Sequence, residues 1–364
     1  MRIVQLLPEL NEGGVERGTV ELSRELVKLG HKSIVISAGG KLQEHIEKEG
    51  GKHIQFDVCS KNPLTVLPRV MQLRNVFKEL KPDIIHARSR VPAWLAYLAN
   101  RSLHIPFVTT VHGFNSVSFY SKIMTMGDHV VCVSNAVKTY IQKHYRTPED
   151  KITVIPRGID LVKFNPKNID HDFIKQFSKQ YGLEGRFVVS VVGRITQLKD
   201  HQTFIRAIAL LKQENPKIAG LIVGGVHEDK QDYFDGLKKL VGQLGADENI
   251  IFTGSQDKVA EIYALSNVVV SSSKKPESFG RSVAEALALN TPVVATAHGG
   301  VLDIIIEGGN GFFYPAEESE MLAQKIGQCK DLKFDGFAYI EKNFSLEQMV
   351  DKTFKVYIKA LCND

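Results

Sequence analysis

Residues 276–296 read PESFGRSVAEALALNTPVVAT, and this stretch decides the fold. Val283, Ala286, Leu287 and Leu289 recur at helical spacing after Phe279-Gly280, so an apolar helix opens at the glycine. Asn290-Thr291-Pro292 stops it, and Val293-Val294-Ala295 reads as a short buried strand. The same residues carry chemistry. A helix N-terminus beside Gly280 offers free backbone N–H groups and a positive dipole end, which suits a phosphate. Glu277 and Glu285 bracket that end, and Glu285, two turns along the helix, can accept hydrogen bonds from sugar hydroxyls. Taken alone, the spacing is more simply two solvated glutamates on an amphipathic helix. The rest of the chain tips the reading.

Working outward, short β-branched runs alternate with helical patterns along the whole sequence. In the first half the predicted strands are 2–6, 33–37, 54–56, 83–86, 107–111, 129–133 and 152–155. In the second they are 187–192, 219–223, 250–252, 268–271, 292–295 and 311–314. Helical patterns fill gaps at 15–29, 64–80, 201–212, 233–244 and 259–264. Alternation of this kind implies parallel βαβ units, hence an α/β fold with two Rossmann-like doubly wound domains. Pro156-Arg157-Gly158 and the polar stretch after it, to about Ile174, read as a linker. Ligands of such sheets bind at the carboxyl ends of the strands, so the expected site is a central cleft faced by both domains.

The chain's 364 residues suffice for two cores, and its 43% hydrophobic and 24% charged content is that of a soluble globular protein. No apolar run reaches the length of a membrane span. The four cysteines, Cys59, Cys132, Cys329 and Cys362, form no CxxC, so reduced thiols and a cytoplasmic setting are expected. The net charge of +5 is uneven, with eight basic against two acidic residues over 61–101. That patch lacks aromatic interleaving and a nucleic-acid-binding module, so no nucleic-acid partner is expected. An anionic membrane, a phosphorylated acceptor or a merely solvated face all fit it.

Several turns that follow predicted strands hold suitable groups. Gly193-Arg194-Ile195-Thr196-Gln197-Leu198-Lys199 follows one, so a guanidinium fork and an ammonium can reach the same anion. Gly224-Gly225 follows the next, where backbone can approach a ligand. In the first half, Gly13-Gly14 lies between the opening strand and a helix; without the full G-x-G-x-x-G pattern it is a weak dinucleotide signal. His112-Gly113 follows strand 107–111 and is placed to face the cleft. Arg88-Ser89-Arg90 follows strand 83–86 and is expected at the cleft mouth.

Gly13-Gly14, His112-Gly113, IPRGID at 155–160, GRITQLK at 193–199, PESFG…E at 276–285 and HGGVLDIIIEGGNGFFYP at 298–315 together resemble the retaining glycosyltransferases of the GT-B fold, family four. The likeness runs in order along nearly the whole chain. Through LPELNEGGVERGT at 7–19 and HARSRVPAW at 86–94 it is closest to bacterial members that build lipopolysaccharide or other surface glycans. The resemblance implies an acceptor-side domain over 1–165, a nucleotide-sugar-binding domain over 166–344, and a helix over 345–364 that returns to the first. It implies that Arg194 and Lys199 hold the nucleotide diphosphate and that Glu277, with the Phe279 and Gly280 backbone, binds the donor sugar. Glu285 would take the ribose hydroxyls, Gly14 would approach the diphosphate, Gly13 and Gly193 would belong to the donor-binding set, and His112 would contact the transferring sugar. Arg88 and Arg90 are the acceptor-side candidates. Arg157 stands where many relatives have Asn, and Asp303 where many have Glu, so exact contacts do not carry over there.

The implied reaction moves a sugar from a nucleotide-diphosphate donor, UDP favoured, to a saccharide or lipid-linked acceptor. Preorganised Arg, Lys and a helix N-terminus suit the negative charge that develops on the leaving group. No cofactor and no metal are expected. The single Asp-x-Asp, Asp170-His171-Asp172, lies in the expected linker without partner ligands. The expected location is cytoplasmic, with peripheral contact on the inner membrane's cytoplasmic face. A nucleotide-sugar epimerase and a non-catalytic nucleotide-sugar binder are the alternatives. The first needs acid and base groups, for which only His112 offers itself.

Overall fold

The computed structural model describes residues 1–11 and 13–362. The chain divides into two compact units: Met1–Gly158 joined by the chain from Leu346 onward, and Ile159–Ser345.

Unit 1 is built on seven strands: β1 (Arg2–Leu6), β2 (Lys32–Ser37), β3 (Lys52–Gln55), β4 (Ile84–Ala87), β5 (Phe107–Val111), β6 (His129–Cys132) and β7 (Ile152–Val154). Their order in the sheet is β3-β2-β1-β4-β5-β6-β7, and every pairing is parallel. Helices α1 (Gly14–Lys28), α2 (Gln43–Lys48), α3 (Val66–Leu80), α4 (Arg90–Asn100), α5 (Phe119–Lys122) and α6 (Asn135–Tyr145) connect them. The central strands are apolar on both faces because helices cover both, as β4 and β5 show with every residue buried. The strand order reverses between β1 and β4, and loops diverging there leave room for ligand. The residues that leave β1, β4 and β5 (Gly13, Arg88 and His112) therefore gather at one end of three adjacent strands.

Unit 2 repeats the plan with β8 (Phe187–Val192), β9 (Ile218–Val223), β10 (Ile250–Gly254), β11 (Val268–Ser271), β12 (Val293–Thr296) and β13 (Gly311–Tyr314). The order is β10-β9-β8-β11-β12-β13, again all parallel. Its helices are α7 (His171–Gln180), α8 (His201–Glu214), α9 (Gln231–Gln243), α10 (Val259–Leu265), α11 (Arg281–Ala288), α12 (Ser319–Gln328) and α13 (Gly336–Phe344). The switch falls between β8 and β11, which sends the Gly193 and Glu277 loops apart from neighbouring strands.

The last helix, α14 (Leu346–Leu361), belongs to unit 1. Met349, Val350 and Tyr357 pack with Leu22 and Leu26 of α1 and with Ile3, Ile84 and Val108 of the sheet. Tyr357 is fully buried, and its hydroxyl meets His86 Nδ1 at 2.7 Å. That bond fixes the helix on the sheet by a polar contact as well as by apolar area.

Residues 156–174 are not a linker. Ile159, Phe164 and Ile169 are buried in the core of unit 2 with Phe279, Val283 and Leu287. The boundary lies at Gly158/Ile159 because those three apolar side chains are anchored there, seven residues before the boundary read from the sequence. Asp170 then starts α7 as its N-cap, accepting from the Phe173 backbone N–H at 3.0 Å, and it pairs with Lys258 at 2.5 Å. The Asp-x-Asp triplet is thus a helix cap.

Candidate active site

In unit 2 the loop after β8 is clasped to the loop after β9 by backbone. Gly193 N–H donates to the Val223 carbonyl at 2.9 Å and Ile195 N–H to the Gly225 carbonyl at 3.0 Å. A Cβ on Gly224 would stand 2.0 Å from the Gly193 carbonyl oxygen, so only glycine permits this approach. Gly224 is therefore committed to holding the Gly193 loop, a tighter use than the ligand approach expected of it. The loop ends at Asp200, which adopts a left-handed conformation and caps α8 through Thr203.

Lys199 and Glu277, 78 residues apart, meet in this unit, with Nζ 2.5 Å from Oε1. The Ser273 hydroxyl donates to the same carboxylate oxygen at 2.6 Å. Glu277 is held from behind: it bridges to Gly299 in parallel, and Gly300 N–H donates to its carbonyl at 2.7 Å. Burial alone would raise the Glu277 carboxyl, but the Lys199 ammonium and the Ser273 hydroxyl outweigh it and keep the group below its ordinary value. Glu277 is therefore an anion at neutral pH with one oxygen engaged, able to accept further hydrogen bonds. Arg194, on the same loop as Lys199, is exposed and forms no ion pair among the described residues. Its fork remains available to an anionic ligand.

The helix at Gly280 is α11, and Gly280 is its N-cap at φ +99. A Cβ there would lie 2.5 Å from Val301 Cγ1, so both the dihedral and the packing demand glycine. Phe279 is buried against Phe344 at 6.0 Å between ring centres, which leaves only its backbone to a ligand. Glu285, one turn along α11, is buried and accepts from Arg281 Nε at 2.8 Å and from the Tyr263 hydroxyl at 3.3 Å. Sequence reasoning missed Ser273 and Lys274. Lys274 bridges Asp200 at 3.6 Å and Glu317 at 2.6 Å and so ties the Arg194 loop to the Glu277 loop. The serine and lysine runs at 271–275 were the available signal.

Unit 1 holds a second constellation. A cavity of about 260 Å³ is lined by Glu16, Arg88, Arg90, Thr110, His112 and Asn115. Arg157 lies over Gly14, its Nη1 2.6 Å from where a Cβ would stand, and its Nη2 is 3.4 Å from His112 Nδ1. An arginine cannot accept, so Nδ1 does, and the imidazole proton is assigned to Nε2. Burial, with the nearby Arg88 and Arg157 charges, holds His112 well below its ordinary value, so it is a neutral donor. His112 Nε2 is buried without a hydrogen-bond partner among the described residues.

Arg88 differs from expectation. It is 7% exposed rather than part of an open basic edge, because it follows β4 into the space beside α1. It donates to Gln5 Oε1 at 3.1 Å, and burial lowers its pKa to about 10. Arg69 and Arg74 are likewise structural: Arg69 is buried and donates to the carbonyls of Asp57 and Thr65, and Arg74 to those of Leu98 and Ala99. Only part of the basic count over 61–101 is therefore surface charge. Among the described residues no cluster of His, Cys, Asp or Glu could hold a metal ion, and no helix is long and apolar enough to cross a membrane.

Residues 12–163 match the family described as Glycosyltransferase Family 4, and residues 173–334 match Glycosyl transferases group 1. A solved glycosyltransferase from Rickettsia africae is 32% identical, superimposes with a TM-score of 0.92, and the match covers 100% of this chain and 99% of that one. Anabaena HepE in complex with UDP superimposes at 0.85 with 21% identity over 99% of this chain and 100% of that chain. Among curated relatives, N-acetyl-alpha-D-glucosaminyl L-malate synthase of Bacillus anthracis is 26% identical, covering 98% of this chain and 96% of its own length.

Proposed function

The chain belongs to the GT-B glycosyltransferases of family 4, and from that membership we propose that it is a retaining, metal-independent enzyme that uses a UDP-sugar. The acceptor is a saccharide or glycolipid of bacterial lipopolysaccharide or surface-glycan synthesis. The observation that carries the donor assignment is the Lys199–Glu277 pair at the switch point of unit 2, on the same loop as the exposed Arg194.

Breaking the anomeric C–O bond of the donor places negative charge on the departing diphosphate and positive charge on the sugar carbon. Arg194 and Lys199 neutralise the first, helped by backbone N–H groups at the Gly280 end of α11 and at Gly193. Glu277 accepts from donor-sugar hydroxyls and fixes the ring while its charge remains balanced by Lys199. Glu285 takes the ribose hydroxyls, exchanging one of its present partners for them. From unit 1, Gly13 and Gly14 are assigned to the diphosphate, and His112 donates from Nε2 to the transferring sugar. The leaving phosphate oxygen accepts the acceptor's proton on the face it vacates, which yields retention without a separate protein base. Two cationic side chains supply the neutralisation that a divalent ion gives in other nucleotide-sugar enzymes.

UDP is favoured over GDP by the closer sequence likeness to surface-glycan enzymes, and the UDP complex of Anabaena HepE is compatible with it. The same likeness favours glucose or N-acetylglucosamine as the sugar and a cytoplasmic protein peripheral to the inner membrane. A thermal-shift screen of UDP-, GDP- and ADP-sugars, each with EDTA and with Mg²⁺, tests the reading. Stabilisation by UDP-sugars, equal in EDTA and lost in Arg194→Ala, is expected. A response that requires metal or is blind to the base contradicts it.

A further inference from the structure

Beside the polar cavity of unit 1 lies an apolar groove of about 480 Å³, lined chiefly by Val66, Val91, Trp94, Leu95, Leu98 and Phe119. Tyr120 also lines it, and Arg90 is stacked on the Tyr120 ring at 5.4 Å. Arg90 itself lines the polar cavity and donates to Ser121 Oγ at 3.2 Å. One turn along α4, Trp94 Nε1 donates to the Tyr120 carbonyl at 2.9 Å. The first turns of α4 and the Tyr120–Ser121 segment are thus a wall with polar chemistry on one side and hydrocarbon on the other.

Both compartments hold something unsatisfied. In the polar one, Arg88 is 7% exposed, has no carboxylate within ion-pair distance among the described residues, and its Nε lacks a partner. Its opposing charges, Glu21 and the cavity-lining Glu16, act on it only from beyond ion-pair distance, and an oxyanion in the cavity would give this buried cation a direct partner. In the apolar one, Phe119 is 76% exposed, and Leu64, Leu67 and Val117, near Val66 and Phe119 in the chain, are 87, 74 and 53% exposed. Apolar surface gathered around a groove marks a binding site rather than scattered exposure. Lys61 also lines the groove.

We propose that unit 1 takes an amphipathic acceptor, a saccharide carried on an alkyl-chain phosphate, with the phosphate in the Arg88–Arg90–His112 cavity and the hydrocarbon chain in the Trp94 groove. The inference rests on the assignment of the acceptor to unit 1 and adds its chemical class. Arg90 faces the head while its stacking on Tyr120 holds the groove's near wall, so one residue reads both halves of the ligand.

Trp94 is the sole tryptophan of the chain, so its fluorescence reports on the groove alone. The full-length protein is titrated with butyl, octyl and dodecyl phosphate below their micelle concentrations, and with inorganic phosphate and dodecyl maltoside. Trp94 emission should shift on binding, and each methylene that enters the groove should tighten binding by up to about fourfold. Dodecyl phosphate should bind at least tenfold tighter than dodecyl maltoside. Phe119→Glu, at an exposed position, should abolish the chain-length dependence and leave the phosphate preference. Arg90→Gln should weaken the phosphate preference and, through the lost stacking on Tyr120, lower the affinity for every chain length. Affinity independent of chain length, no preference for phosphate, or a Trp94 response confined to anionic vesicles would overturn the proposal. UDP-sugar stabilisation, which involves unit 2, is measured in parallel. Its loss alone refutes the donor reading, whereas its retention with a silent Trp94 refutes only this one.

Discussion

Replacing Lys199 by methionine removes the ammonium and keeps the stem, and the consequences divide into stability and rate. The pair joins side chains 30% and 19% exposed at 2.5 Å, between a solvated surface pair, worth about 0–1 kcal/mol, and a buried one, whose disruption costs about 3–5. A loss of about 2 kcal/mol follows for Lys199→Met. The stranded Glu277 keeps the Ser273 hydroxyl, and burial then pushes its pKa up. Because Glu277 is depressed in the wild type, the pair's contribution is present above its ordinary pKa of 4.5 and is lost as pH falls through the folded value. The stability gap between variant and wild type should therefore close in acid. Turnover should fall roughly a hundredfold, about 3 kcal/mol, through loss of a cation on the leaving diphosphate. The assay is a double-mutant cycle with Glu277→Gln, followed by urea denaturation and by UDP release. A coupling of about 1–2 kcal/mol is expected, with stability partly restored in the double variant and rate not restored. Coupling below about 0.5 kcal/mol, or Lys199→Met turnover within a few-fold of wild type, would refute the reasoning.

Arg194→Ala should lower turnover about a hundredfold with an unchanged denaturation midpoint, because the exposed side chain has no described partner to lose. A shifted midpoint would show that the arginine is structural. Gly224→Ala should destabilise unit 2 by about 3 kcal/mol, since its Cβ would stand 2.0 Å from the Gly193 carbonyl oxygen; a neutral melting curve would mean the two loops are not clasped. His201 is buried, and burial with the Lys199 charge lowers its pKa from 6.5 to about 4. A depressed histidine contributes stability that is complete above its unfolded pKa. That contribution, up to about 3 kcal/mol, should drain away as pH falls from 6.5 towards 4. His201→Phe should flatten that limb of the stability–pH profile; an unaltered profile would remove His201 as its cause.

The sheet was legible because parallel strands covered on both faces announce themselves as unbroken apolar runs, as VVVS and GFFY do at β11 and β13. Helix α14 was legible because only one of its faces is buried. Helix α4 was not: VPAWLAYLA is apolar nearly all round, since one side meets the sheet and another forms the groove, so no polar face marks the period. The stretch 156–174 misled because its few apolar residues are widely spaced among Pro, Asn and Asp, and only tertiary packing shows that Ile159, Phe164 and Ile169 are anchors. Of the site, the residue types and their turns could be read, but their partners could not. Nothing local tells Lys199 that it will meet Glu277. Nor does the spacing of Arg88, Ser89 and Arg90 reveal that Arg88 points inward while Arg90 divides two cavities. Side-chain direction at a strand's end depends on the neighbouring strands, which sequence order does not supply.

Transfer with retention from a UDP-sugar is tested most directly by proton NMR of the first-formed product. The protein is incubated with UDP-N-acetylglucosamine or UDP-glucose, with and without an alkyl phosphate-linked saccharide acceptor. An α-anomeric signal should appear on the acceptor at the rate UDP is released, and without acceptor the donor sugar should stay unchanged. A β-linked product would contradict retention, and a donor sugar altered in the absence of acceptor would replace glycosyl transfer by epimerisation.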